Sequence, residues 1–272
     1  MERTFWLLPV LLTACAPAPT REAAYPAIVS LNPCTDAILA QVADPAQILA
    51  LSAYSSDPAG SSMDVATARR FRSVSGSVEE VAALQPDLVL GSTFEPPASV
   101  AALGQLHLRF EAFGAAGTVA ESKAQVTRLA VLAGHPERGA ALNAAIDAAL
   151  VQAAPPPGPA VPALVWQAGG MVPGSDTLIA QLLSAAGFSN AAAARGLRQA
   201  DLLPLEQVLA NPPRVIFTAG NALANEDRLL AHPALRGLTG TLRAPLNPAL
   251  LWCGGPTIPK ALARLREVRR GL

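Results

Sequence analysis

Lysine is nearly missing from this 272-residue chain: Lys123 and Lys260 are the only two. The formal net charge is zero, and the basic residues are scattered apart from an Arg-rich C-terminal stretch. That distribution offers no single-signed face of the kind a nucleic-acid backbone requires. The three histidines, His107, His135 and His232, stand far apart, and two of them precede prolines at turns. A receptor or enzyme for a bare zinc or manganese ion needs converging His and carboxylate ligands, and the spacing shows no such set. There is no paired-Cys metal motif, no Gly-rich phosphate loop and no nucleophile elbow. The apolar run over residues 5–12 is too short to cross a bilayer, which takes about 20 residues. What remains is an apolar chain, 51% hydrophobic, with ample material for a core in each of two ordinary domains.

The N-terminus has the layout of an export signal. Arg3 precedes the short apolar run, and small residues follow it. Leu12-Thr13-Ala14-Cys15 resembles the lipobox of bacterial lipoproteins, in which the Cys is lipidated and becomes the mature N-terminus; an ordinary cleaved signal peptide is the alternative. Residues 1–25 are thus expected to be signal peptide and tether, the Pro/Ala-rich part serving as the tether.

The rest of the chain is organised around residues 118–154, which predict two consecutive helices. Thr118 with Glu121 forms a capping-box signature, and Val126, Leu129, Ala130 and Ala133 recur at helical spacing until Gly134. Pro136 suits the first position of a second helix, whose apolar face carries Leu142, Ala145, Ile146, Ala149 and Leu150, and Pro155-Pro156-Pro157 forbids its continuation. At about 1.5 Å per residue that helix spans roughly 27 Å, long enough to act as a strut. On either side of it, short apolar strands alternate with helices, implying mostly parallel sheets. The expected plan is an N-terminal α/β lobe over 26–133, a connecting backbone helix over 134–157 and a C-terminal α/β lobe over 158–272. Residues 78–90 can be laid without gaps over 205–217, with Glu, Val, Ala and Pro coinciding, so the lobes are expected to be related by internal repetition. Two such lobes should enclose a cleft lined by loops at the strand ends.

Ile28-Val29-Ser30-Leu31 near the mature start, Val78-Glu79 ahead of Gln85-Pro86-Asp87-Leu88-Val89-Leu90, the strut helix, and Leu205-Glu206-Gln207-Val208-Leu209 together resemble the helical-backbone family of substrate-binding proteins. These serve ABC importers of iron-siderophores, haem and cobalamin. The resemblance covers about residues 26–272. It implies a class III periplasmic binding protein: two Rossmann-like lobes joined by a single long helix, with small hinge motion. It also implies a monomer without catalysis or resident cofactor, lipid-anchored in the periplasm. Such a protein would deliver a metal chelate (cobalamin or another corrinoid first, a ferric siderophore next, haem third) to a permease dimer with cytoplasmic ATPases. A tetrapyrrole chelatase or metallochaperone on the same two-lobed plan is the alternative of another class.

By the same resemblance, Glu79 and Glu206 match lobe-tip glutamates that pair with permease arginines. Carboxylates at equivalent places of two related lobes suit a two-fold partner, although each also favours the first turn of its helix through the helix dipole. Expected ligand-binding residues are Asn32 and Thr35 at the start of the first helix, Tyr54 in a loop similar to one that touches corrin in the cobalamin-binding relative, and the aromatics Phe94, Trp166 and Trp252 at strand ends. Aromatic faces suit a large flat chelate, and ordinary packing is the alternative for each. With Cys15 set aside for lipidation, Cys34 and Cys253 form an even pair in an oxidising compartment. That favours a disulfide stapling the lobes, with two buried thiols or a thiolate contact to bound metal as the other fates.

Overall fold

The computed structural model describes residues 25–58, 60–220, 230 and 232–272. Cys15 and the lipobox lie outside the described residues. The first lobe is built on a five-stranded parallel sheet made of β1 (Ile28–Ser30), β2 (Ile48–Ser52), β3 (Ser73–Val74), β4 (Leu88–Ser92) and β5 (Phe110–Phe113), in the order β3-β2-β1-β4-β5. Its connections carry α1 (Pro33–Val42), the single turn α2 (Val65–Ala68), α3 (Val78–Ala83) and α4 (Pro97–Gln105). Helices cover both faces, so the central strands bury both sets of side chains, and β4 reads as an apolar run instead of an alternating one.

The two helices of the connection form as their end signals direct. In α5 (Val119–Ala133) the Thr118 hydroxyl accepts the Glu121 N–H at 3.1 Å, while the Glu121 carboxylate accepts the Thr118 N–H at 3.2 Å and the Gly117 N–H at 2.8 Å. Gly134 stops the helix in the left-handed conformation, at φ 85°, which glycine adopts without steric cost. Pro136 then opens α6 (Pro136–Ala153). The second lobe follows, with β6 (Val161–Gln167), β7 (Met171–Pro173), α7 (Leu178–Ala185), β8 (Phe188–Asn190), β9 (Ala200–Leu202), α8 (Leu205–Ala210), β10 (Val215–Ala219), α9 (Pro233–Arg236), β11 (Leu242–Pro245) and α10 (Thr257–Arg270).

Its main sheet is parallel in the order β11-β10-β6-β8, and β7 and β9 form a separate antiparallel ribbon. Read from its other rim the first sheet runs β5-β4-β1-β2, so the two sheets share one strand order, and the second lacks only a counterpart of β3. The α3–β4 unit and the α8–β10 unit begin and end in step with the sequence alignment of 78–90 on 205–217.

α6 belongs to both cores. Leu142 packs on the first-lobe cluster that contains Ile38, Val126 and Leu129, whereas Ile146 and Ala153 lie inside the second-lobe cluster with Val165, Leu183 and Leu265, joined there by Ala149 and Leu150. Along its length the helix lies against α5, α1 and α10. Lys123 and Asp147 pair at 2.6 Å across the α5–α6 seam, and Asn143 donates to the Lys123 carbonyl and the Thr127 hydroxyl.

Six short elements, β3, β7, β8, β9, α2 and α9, were not expected from the sequence, since two to four residues are too few to display a period. The sequence pattern also predicts a helix from residue 175, but α7 starts at Leu178. The backbone N–H groups of Gly174, Ser175 and Asp176 donate instead to carbonyls of Gln199, Leu197 and Arg198.

Gly139 sits where α6 meets α5, and a Cβ there would lie 2.5 Å from the Ala130 Cβ. Gly139→Val should therefore cost about 1–3 kcal/mol through overpacking, seen as a lowered Tm. Gly104→Ala in α4, where a Cβ meets nothing within 4 Å, should leave Tm unchanged or raise it.

Candidate functional site

Because all strands of a parallel sheet run the same way, the loops that follow them gather at one edge. In the first lobe Asn32 follows β1, Tyr54 follows β2, Phe94 follows β4, and residues 114–117 follow β5. In the second lobe residues 168–170 follow β6, and the segment with Trp252 follows β11. Between the lobes lies a cleft of about 450 Å³. One wall carries Ala115, Ala116, Gly117 and Glu121, and the other carries Gln167, Met171, Pro173, residues 176–179, Gln199, Ala200 and residues 251–253.

The lining is apolar with sparse polar groups. Trp252 is 52% exposed, and Met171, Leu178 and Ile179 add aliphatic surface. Gln167, Gln199 and Thr177 supply amide and hydroxyl groups. Both carboxylates are already engaged. Glu121 caps α5, and Asp176 accepts from the Ser175 hydroxyl at 2.7 Å and from the Arg198 guanidinium at 2.7 and 2.8 Å. The Ser175 hydrogen bond, followed by Arg198, holds the Asp176 carboxyl below its ordinary range. Among the described residues no Lys, Arg or His lines the cleft.

Of the residues singled out from sequence, Trp252 lines this cleft. Tyr54 and Phe94, 64% and 83% exposed, stand on the same sheet edge without lining the enclosed volume. Asn32 is occupied as a helix cap, its side-chain oxygen accepting the Cys34 N–H at 2.8 Å. Thr35 and Trp166 do not reach the cleft. Thr35 is 1% exposed, and its hydroxyl is taken up by the Ser30 hydroxyl at 2.7 Å and the Asn32 carbonyl. Trp166 is fully buried among Leu164, Val208, Ile216 and Leu235, because β6 is covered on both faces. The next residue, Gln167, is the one that reaches the cleft. Glu79 and Glu206 are exposed in the first turns of α3 and α8. Each helix leads by a short turn into the strand after it, so both starts lie at the sheet edges where β4 and β10 end.

Cys34 and Cys253 form a disulfide that joins the lobes, with Cα atoms 5.1 Å apart. The adjoining glycines come into close contact with the first lobe. The Gly255 N–H donates to the Ser122 hydroxyl at 2.7 Å, and a Cβ on Gly254 would run into that same oxygen.

Beside the disulfide is a residue that the sequence marks only as an acid in a helix's first turn. Asp36 is fully buried. It accepts the Ser52 N–H at 3.0 Å and the Ser55 hydroxyl at 2.6 Å, so it holds the turn that carries Tyr54, and its other oxygen has no partner among the described residues. Burial pushes its carboxyl up to about 7, against the opposing hydrogen bonds of Ser55 and Ser52. Two further contributors escaped the sequence, Met171 and Gln199. They are brought in by β7 and by the residue just before β9, elements with too little pattern to announce themselves.

The family model for periplasmic binding proteins matches residues 28–241. The chain belongs to the periplasmic binding protein family. This family binds and hands over solutes, and its name places its members in the periplasm. Solved structures of similar fold include heme-binding HutB of Vibrio cholerae (16% identity, TM-score 0.73, 89% of this chain and 97% of that one). Heme-binding RhuT from Roseiflexus sp. RS-1 in apo form (20%, 0.69, 89% and 96%) is another. Vitamin B12-binding BtuF of Vibrio cholerae (21%, 0.67, 89% and 96%) is a third. At these identities the likeness speaks for the two-lobed fold of this periplasmic binding protein and not for its ligand. Among curated proteins no sequence match was found.

Asp36 gives the protein a pH dependence of unusual sign. A carboxyl whose folded-state value lies above the ordinary 3.8 stabilises fully below that value, and its contribution is lost as pH rises through about 7. Tm should therefore fall between pH 5 and pH 8, and Asp36→Asn should flatten that slope. Equal slopes in the two proteins would rule out Asp36 as the cause.

Proposed function

We propose that this periplasmic binding protein is the lipid-anchored receptor of an ABC importer, tethered through Cys15, and that it carries an intact corrinoid such as cobalamin to the permease dimer. The observation that carries the ligand assignment is the chemistry of the cleft: Trp252 and Met171 beside the Gln167 and Gln199 amides, both carboxylates locally neutralised, and no cation among the described lining residues. A flat macrocycle rimmed by neutral amides matches such a surface, stacking on the indole and exchanging amide hydrogen bonds. Haem with its two propionates, or a carboxylate-rich siderophore, would leave anionic groups without a partner there.

A ferric siderophore or haem is the second reading. It is favoured by Tyr54, whose exposed phenol offers an oxygen ligand suited to ferric iron, and by the heme-binding description of RhuT and HutB. A chelatase finds less support. His135 is buried, bonded to Gln47 and stacked near Tyr25, His232 caps α9, and no group of three His, Cys, Asp or Glu among the described residues is arranged to hold a metal. Glu79 and Glu206 would meet basic pockets on the two permease subunits, the two cytoplasmic ATPases then driving release into the channel.

Titration with cyanocobalamin, hemin and a ferric siderophore, read by quenching of tryptophan emission, tests the ligand. Cyanocobalamin should bind, and Trp252→Ala should weaken it by about tenfold, equivalent to about 1.4 kcal/mol. Tighter binding of hemin than of cyanocobalamin would replace the corrinoid by the second reading. The Glu79→Ala/Glu206→Ala double variant should bind the same ligand with unchanged affinity and fail to support uptake in cells.

A further inference from the structure

We propose that the Cys34–Cys253 disulfide is a positioning device for the ligand: it ties Trp252, which belongs to the second lobe by sequence, to the first lobe. Residues 246–256 link β11 to α10 and contain no regular structure beyond the single turn Pro248–Leu250. Trp252 is half exposed, so its place depends on the backbone on either side, and on the near side Leu250 and Leu251 pack on the second-lobe core. On the far side, the Thr257 hydroxyl of α10 donates to the Cys253 and Gly254 carbonyls, and the partners across the seam lie in the first lobe. Cys253 is bonded to Cys34 in the first turn of α1, the Gly255 N–H donates to Ser122 of α5, and a Cβ on Gly255 would meet Ile38 of α1 at 2.8 Å.

The anchor itself is stiff. Asn32 caps α1, Thr35 is bonded to Ser30 of β1, and Asp36 is bonded to Ser52 and Ser55. Gln167, Met171 and Gln199, which share the cleft lining with Trp252, are built on the second sheet and its ribbon. Any rocking of the lobes about α6 therefore changes the placement of Trp252 relative to those residues. With the sulfurs separated, the ties of this segment to the first lobe among the described residues are the Gly255 hydrogen bond and the glycine contacts, and Trp252 is held less firmly.

The affinity part of this inference rests on the binding reading above, and the placement of Trp252 does not, so both are measured. The full chain is compared with Cys34→Ala/Cys253→Ala, with the wild type after phosphine reduction and after reoxidation by oxidised glutathione, and with Gly254→Ala. That last variant keeps the sulfur bond but forces the glycine seat away from Ser122. All measurements are made well below Tm.

Acrylamide quenching of tryptophan emission should be steeper in the double variant, in the reduced protein and in Gly254→Ala. Trp166 is shielded in the core and gives an equal background in every sample. Cyanocobalamin, or hemin if that is the probe the wild type binds, should dissociate about tenfold faster, and reoxidation should restore the wild-type rate. Unchanged quenching and dissociation with only a lower Tm would reduce the bond to a staple and overturn the proposal. If neither probe binds the wild type, the ligand assignment fails while quenching still decides the placement of Trp252. If the double variant does not fold, the reduced and the reoxidised wild type carry the test.

Discussion

Two hydrophobic cores are threaded on one helix, and the rest of the molecule follows from that. Leu142 of α6 packs, half-buried, against the first core, while Ile146 one turn later is fully buried in the second. Tilting one sheet away from the other would pull at least one of these side chains toward water, at about 1.5–3 kcal/mol for a fully buried Leu or Ile. The lobes are therefore held at a spacing set by side-chain packing, and a cleft between them exists before any ligand arrives. A preformed cleft loses little free energy to ordering when it is filled.

The architecture was largely legible because its signals are local and redundant. Thr118 and Glu121 start α5, Gly134 ends it, Pro136 opens α6, and the paired α–β units repeat along the chain, so strut and duplication were visible in the residues themselves. The cleft was less legible, since it depends on which face of an element meets solvent. Trp166 and Gln167 are neighbours at the end of β6, yet the larger ring goes into the core and the amide to the cleft, because a sheet covered on both faces leaves only its edge free. Met171 and Gln199 reach the lining at opposite ends of a three-residue ribbon, which no periodicity reveals. Nothing in the sequence around Asp36 distinguishes it from an ordinary first-turn acid. Its burial arises from the Ser52–Ser55 turn folding over it, a contact between residues sixteen and more positions apart.

The cleft separates the jobs of its charged and apolar groups. Its carboxylates act on the protein, one capping α5 and the other pairing with Arg198, which leaves the amides, Trp252 and Met171 to face a guest. The described walls thus offer apolar surface and amide groups, with both of their carboxylates engaged within the protein. The glycine pair beside Cys253 shows how tightly the seam is drawn, because even a methyl group at Gly254 has no room.

The shortness of the outermost strands has a consequence for life in a crowded compartment. The two rims of the first sheet are β3, with two residues, and β5, with four; those of the second are β8, with three, and β11, with four, whose last residue, Pro245, has no N–H to offer. A growing polymer needs a long, flat row of free backbone groups on which to template the next chain. These rims provide none, so the parallel sheets that build the cleft can be kept at high abundance without seeding aggregation.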